Sequence, residues 1–164
     1  MTNEIPERFY RAVFATDLDR VLDPVASPQG RFHHTGQPAL YLSETVDGVV
    51  TAIKTYLAAG HPTRVIVPLH LSARTILDAR DAQTHRTLQT DPGSASMRWQ
   101  DDRAAGRRPA SWALSDRARA TGAEGMLYAS RKRPDLTHLV LFRWNEAGGA
   151  RLARTGEPLV FPRG

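Results

Sequence analysis

Hydrophobic positions come in short bursts along this chain, separated by stretches rich in proline, glycine and charge. Phe9–Ala15 (FYRAVFA) alternates aromatic and aliphatic residues enough to predict a first strand. Asp23–Gly30 reads as loop by its prolines and glycine, and the apolar run Pro38–Ser43 predicts a second strand. Val46, Val49, Val50, Ile53, Tyr56 and Leu57 then recur at helical spacing. With Gly60 and Pro62 as a stop, they predict a helix over Thr45–Ala59. Arg64–Leu71 is the most strand-like run, and a further helix is expected within Ala73–Thr84.

The polar middle, Gln89 to Pro109, reads as a long loop or flap, a kind of segment that is often functional. Ser111–Gly122 predicts a helix with Ser111 as N-cap and Gly122 as its stop. Gly125–Ser130 and Thr137–Trp144 read as strands joined by the basic connector RKRPDL. The tail is expected to form a hairpin around EAGGARL. Strands outnumber helices and do not alternate with them regularly, which predicts an α+β fold rather than a doubly wound one.

Composition narrows the chemistry. A length of 164 residues suits one domain, residues 1–164, and 41% apolar with 24% charged residues is globular. No apolar run has the ~20 residues of a membrane helix. The start, MTNEIPERFYR, has no apolar stretch of a secretory signal, so a cytoplasmic protein is expected. With no cysteine there is no disulfide, thiolate metal site or thiol nucleophile. Net charge is +5, and of 22 basic residues only Lys54 and Lys132 are lysine. Arginine forks suit phosphates and carboxylates, although a GC-rich genome explains such a bias equally well.

Arg31 follows a Pro-Gln-Gly turn, and Tyr41 lies ten residues on in an apolar strand. A tyrosine there is commonly core, and an arginine at a loop end is commonly solvated. As a pair they suit a dinucleotide: the guanidinium grips pyrophosphate and the phenol ring offers a face to a base. His33 and His34 are adjacent on an extended segment and point oppositely, with no companion at metal-ligand spacing, so no metal is expected. His33 or His34 beside a ribose or nicotinamide is the better reading.

The stretch GRFHHTGQPALYLS (Gly30–Ser43) resembles the signature of the RES-domain family, in which a Gly-Arg-aromatic run leads through a Gly-x-Pro turn into a strand reading ALYLA or similar. GMLYASRKRPDLTHLVLFR is similar to that family's second landmark, and FYRAVF resembles its opening strand. The resemblance implies a compact ADP-ribosyltransferase-like fold with central antiparallel or mixed β-sheets flanked by helices. It also implies a toxin of a bacterial type II toxin–antitoxin module, neutralised by an Xre-type antitoxin. Family members consume NAD as co-substrate without a metal, by phosphorolysis, by hydrolysis or by transfer of ADP-ribose to a protein. Arg31, Tyr41 and Ser130 match the family's functional arginine, tyrosine and serine, with His33 and Arg11 as further candidates for the NAD pocket.

One position departs from the pattern. The family carries a glutamate on the helix after the ALYL strand, and here Lys54 or Thr55 fills that slot. No acid lies between Asp47 and Asp78. Lys54 is either a surface lysine with its stem along the helix or a contact to phosphate or acceptor. Glu44 is a possible substitute carboxylate, and the missing acid favours transfer to a protein over hydrolysis. Two alternatives stand beside this reading. One is a nucleic-acid-binding or ribonuclease-like protein using Arg103–Arg108 and Arg131–Arg133, which lack interleaved aromatics for base stacking. The other is a family member that binds antitoxin without catalysis.

Overall fold

A computed structural model describes residues 4–54 and 62–162. Eight strands make one mixed sheet: β1 (Arg8–Phe14), β2 (Leu40–Ser43), β3 (Arg64–Ser72), β4 (Ile76–Asp78), β5 (Gly125–Ala129), β6 (Thr137–Leu141), β7 (Arg151–Arg154) and β8 (Leu159–Val160). Their order is β4-β5-β6-β2-β1-β3-β7, with β8 also on β3, and among the described residues only the β4–β5 strand pair is parallel. Among the described residues four α-helices accompany them: α1 (Val46–Ile53), α2 (Ala82–Leu88), α3 (Trp99–Ala104) and α4 (Ala110–Ala120). The α+β expectation holds. No helix among the described residues is long and apolar enough to cross a membrane.

Alternation along the strands gives the sheet two unlike faces. Leu40 and Leu42 of β2, Leu139 and Leu141 of β6, Leu127, Phe9 and the β3 residues Val67, Leu69 and Leu71 form one large apolar cluster. Full burial of each such side chain contributes roughly 1.5–3 kcal/mol. On the other face the core divides. Met126, Tyr128 and Val140 pack with Phe32 and with Leu114 and Ala118 of α4, while Ile66 packs with Val49 of α1 and Phe161. Between these two clusters the sheet presents polar side chains, Ser43 of β2 and His138 of β6, directly paired across the strands. That division leaves room for a site.

Several expected elements moved. The helix expected within Ala73–Thr84 is instead β4 followed by α2. Glu124 fixes the lead into β4, its Oε1 accepting from the Arg74 and Thr75 amides at 2.7 and 2.8 Å. Asp81 then caps α2 by accepting from the Gln83 amide at 3.0 Å. The polar middle is no open loop: a 3₁₀ turn (Pro92–Ser96) and α3 occupy much of it. Its polar groups bond locally, as where Asp91 accepts from the Gly93 amide at 2.8 Å. Ser111 lies inside α4 rather than at its N-cap, which is Pro109. Gly122, at φ +83°, follows the end of that helix as expected.

The tail forms no simple hairpin either. Asn145 ties its turn by bonding both the amide and the carbonyl of Leu152, and β7 crosses to pair with β3. Of the helix predicted over Thr45–Ala59, the described part runs to Ile53, capped by the Thr45 hydroxyl accepting from the Gly48 amide at 3.0 Å. Thr55, Tyr56, Leu57, Ala59 and the expected stop at Gly60 lie outside the described residues.

Candidate active site

A cavity of about 660 Å³ opens over the polar gap in the sheet. Its floor carries Tyr41, Tyr128, Ser130 and His138; Gly30, Arg31 and His33 form one side, Thr51 to Ile53 of α1 another, and Met97 to Gln100 the rim. The floor residues share a face by strand alternation, since Ser43 and Tyr128 both pair with His138.

The Gly30–His33 wall is locked. Gly30 and His33 bridge to each other, the Gly30 amide donating to the His33 carbonyl at 2.9 Å. Helix α4 then engages successive carbonyls from outside: Trp112 Nε1 donates to Gly30 at 2.7 Å, Ser111 Oγ to Arg31 at 2.5 Å and Arg119 to Phe32 at 2.8 Å. His33 is almost fully buried, its Nε2–H donating to the Ser27 carbonyl at 2.8 Å. That fixes the tautomer, so Nδ1 accepts from the Tyr41 hydroxyl at 2.7 Å. The same hydroxyl oxygen accepts from the Phe32 amide at 3.0 Å. Burial, the largest cause, holds His33 below its ordinary pKa and pushes the Tyr41 phenol up. A Cβ on Gly30 would sit 2.3 Å from His33 Cε1, so only glycine fits.

Arg31 reaches from this wall into the cavity. Its guanidinium carbon lies 5.1 Å from the Phe32 ring centroid and 4.9 Å from that of Tyr128, and Nη2 donates to the Ala95 carbonyl. Nε is buried with no hydrogen-bond partner among the described residues. Burial lowers the Arg31 pKa, with Arg131 adding to the lowering and Tyr128 and Tyr41 opposing it. A guanidinium nevertheless stays charged in proteins, and a site that buries one favours an anion.

The opposite wall is polar and less occupied. Ser130 Oγ accepts from the Arg133 amide at 3.2 Å, which leaves its own proton to donate. His138 Nδ1 lies 2.8 Å from Ser43 Oγ. Burial and then Arg31 lower His138 to about 4, so its imidazole is neutral at pH 7. Burial pushes the Tyr128 phenol up to about 12. Arg31, Arg98, Arg131 and Lys132 line the cavity, and no carboxylate does among the described residues. Four cations and aromatic rings without an acid suit an anionic ligand that carries flat rings.

The sequence matches the family model described as the RES domain over residues 5–163. This chain belongs to the RES-domain family. No curated protein matches its sequence. Among solved structures, a chain of the M. tuberculosis MbcT–MbcA toxin–antitoxin complex is similar, with a TM-score of 0.63. The two are 16% identical, and the match covers 96% of this chain and 85% of that one. The likeness is one of fold, and both it and the family match agree with the resemblance seen in the sequence.

Of the site residues expected from sequence, this RES domain brings Arg31, His33, Tyr41 and Ser130 to one cavity. His34 points elsewhere: its Nε2 meets Asp116 of α4 at 2.9 Å, and neither residue lines the cavity. Arg11 does not line the cavity, because its Nη1 donates to the Val21 and Asp23 carbonyls at 2.5 and 3.0 Å. Lys54 is exposed at the end of α1 and does not line the cavity, whereas Thr51, Ala52 and Ile53 of that helix do. Glu44 is half-buried and outside the lining. No group of three His, Asp or Glu among the described residues could hold a metal ion.

Sequence reasoning gave no site role to His138, Ser43, Tyr128, Ser111, Trp112 or Arg119. A signal existed for two of them. His138 is the one imidazole in the aliphatic run THLVL, and Tyr128 lies between Met126 and Ser130 at period two. The α4 clamp gave none, since its targets are main-chain carbonyls.

Proposed function

We propose that this RES domain is the toxin of a bacterial toxin–antitoxin pair, neutralised by an Xre-type antitoxin, and that it consumes NAD. It breaks the nicotinamide–ribose bond and transfers ADP-ribose to an acceptor, a target protein. The observation that carries the reading is the cavity charge among the described residues: four cations, no carboxylate, and a buried arginine with an unpartnered Nε beside two tyrosines. Arg31 takes pyrophosphate oxygens, Tyr41 and Tyr128 bound the nicotinamide ribose, and Ser130 donates to a ribose hydroxyl or the nicotinamide amide. Nicotinamide is a cationic leaving group in NAD and departs neutral, so no general acid is needed. The ribose passes through an oxocarbenium-like state, as in glycoside cleavage. The pyrophosphate beside it offsets that developing charge.

The lack of a cavity carboxylate favours an acceptor that brings its own nucleophile over hydrolysis by activated water. The arginine-rich stretches support this reading over a nucleic-acid one. Arg107 pairs with Asp102, Arg108 with Asp116 and Arg133 with Asp135, while Arg103 lies 5.3 Å from the Trp112 ring.

Incubation with NAD and a cell lysate, read by mass spectrometry, tests the proposal. Free ADP-ribose, ADP-ribose phosphate and a modified protein differ in mass, and the expected products are nicotinamide and a modified protein. Arg31→Ala is expected to lower nicotinamide release by about 10²-fold or more. Absence of NAD loss with and without lysate refutes the reading.

A further inference from the structure

We propose that His138 is the general base of the transfer, taking the acceptor's proton on Nε2. The inference rests on the NAD reading of the cavity. Any hydroxyl, amine or water acceptor must lose a proton as its bond to ribose C1′ forms, and an acid-free cavity has few groups to receive it. Guanidinium and ammonium groups have no lone pair to offer. His33 is excluded because both ring nitrogens are engaged, one by the Ser27 carbonyl and the other by the Tyr41 hydroxyl. Tyr41 and Tyr128 hold their protons too firmly to act as bases at neutral pH.

His138 differs on each count. It lies on the cavity floor, almost wholly buried, in one cross-strand row with Ser43 of β2 and Tyr128 of β5. Nδ1 has Ser43 Oγ at 2.8 Å, and Nε2 has no hydrogen-bond partner among the described residues. With Nδ1–H donating to Ser43, the lone pair of Nε2 is free, and the same hydrogen bond persists once the ring is an imidazolium. Ser43 is thus a positioning residue. The neutral form dominates at pH 7, and Arg31 is the second cause of its weak basicity. A pyrophosphate on Arg31 offsets that repulsion, so basicity rises when substrate is present.

The step balances. The C1′–N bond breaks with its electron pair leaving on nicotinamide, the acceptor's lone pair forms the new bond to C1′, and the acceptor's proton passes to Nε2 and then to solvent. A base of this kind is dispensable for a nucleophile that carries no proton. The test therefore compares methanol with azide as acceptor, for the wild type and for His138→Gln, with NAD as substrate and mass spectrometry of the adducts. In the variant, methyl ADP-riboside and modified lysate protein are expected to fall by about 10²–10⁴-fold, while the azide adduct forms at near the wild-type rate. Ser43→Ala is expected to show the same split with a smaller loss, which guards against a His138 variant that fails to fold. Equal loss with both acceptors, or no loss with either, overturns the assignment while leaving the NAD reading intact. A wild type that releases no nicotinamide refutes the NAD reading itself and the assignment with it.

Discussion

The two walls of the cavity are built by opposite rules. Along Gly30–His33 nearly every polar atom has a partner: three carbonyls accept from α4, both His33 nitrogens are engaged, and the Tyr41 hydroxyl both donates and accepts. Across the cavity, His138 Nε2 and the Ser130 proton have none, and Arg131 and Lys132 form no ion pair among the described residues. A satisfied network holds shape and an unsatisfied one holds reactivity, since buried groups without partners are tolerated where a ligand supplies them. Only Arg31 crosses the distinction, with a locked backbone and a side chain turned to the cavity.

The contrast can be broken most severely at Gly30. Gly30→Val drives branched carbons into the His33 ring, and overpacking of that kind is expected to destabilise by more than ~3 kcal/mol. Urea denaturation measures it, and wild-type stability in the variant would show that the wall is soft.

A pH series sharpens the other side. His138 titrates near 4 in the folded protein against an ordinary 6.5, so between these values the unfolded chain binds the extra proton. Stability is therefore fully present above pH 6.5 and is lost as pH falls toward 4, by ~3 kcal/mol for this residue. His33 is shifted the same way and adds to the slope. Thermal melts across that window check it, and His138→Gln should flatten the curve.

The smallest effect is expected at Trp112→Phe. That change keeps an aromatic ring but removes the indole N–H that the Gly30 carbonyl accepts from, costing ~1–3 kcal/mol. Equal urea midpoints for variant and wild type would remove Trp112 from the lock.

The sequence carried the sheet better than its connections. β1, β2, β3, β5 and β6 lie where alternating or aliphatic runs placed them, because runs of four to nine residues still display a strand pattern. β4, at three residues, is too short to display any period and owes its place to parallel pairing with β5. The 89–109 segment read as loop because its polar residues satisfy one another locally, a pattern that looks like solvation in one dimension. Arg31, Tyr41 and Ser130 were legible through a motif. His138 was hidden in an aliphatic strand, where only the register with Ser43 and Tyr128 shows which way it faces.

The α4 clamp has a bearing on genetics. Under the toxin function proposed above, a selection for non-toxic variants would yield losses beyond the cavity. A second cluster is expected at Ser111, Trp112 and Arg119, one stripe of a helix whose residues line no part of the cavity. Because these side chains hold main-chain oxygens, changing the residue they hold would not restore function. Such alleles would have no suppressors at positions 30–32, and their reversion would come from α4 itself.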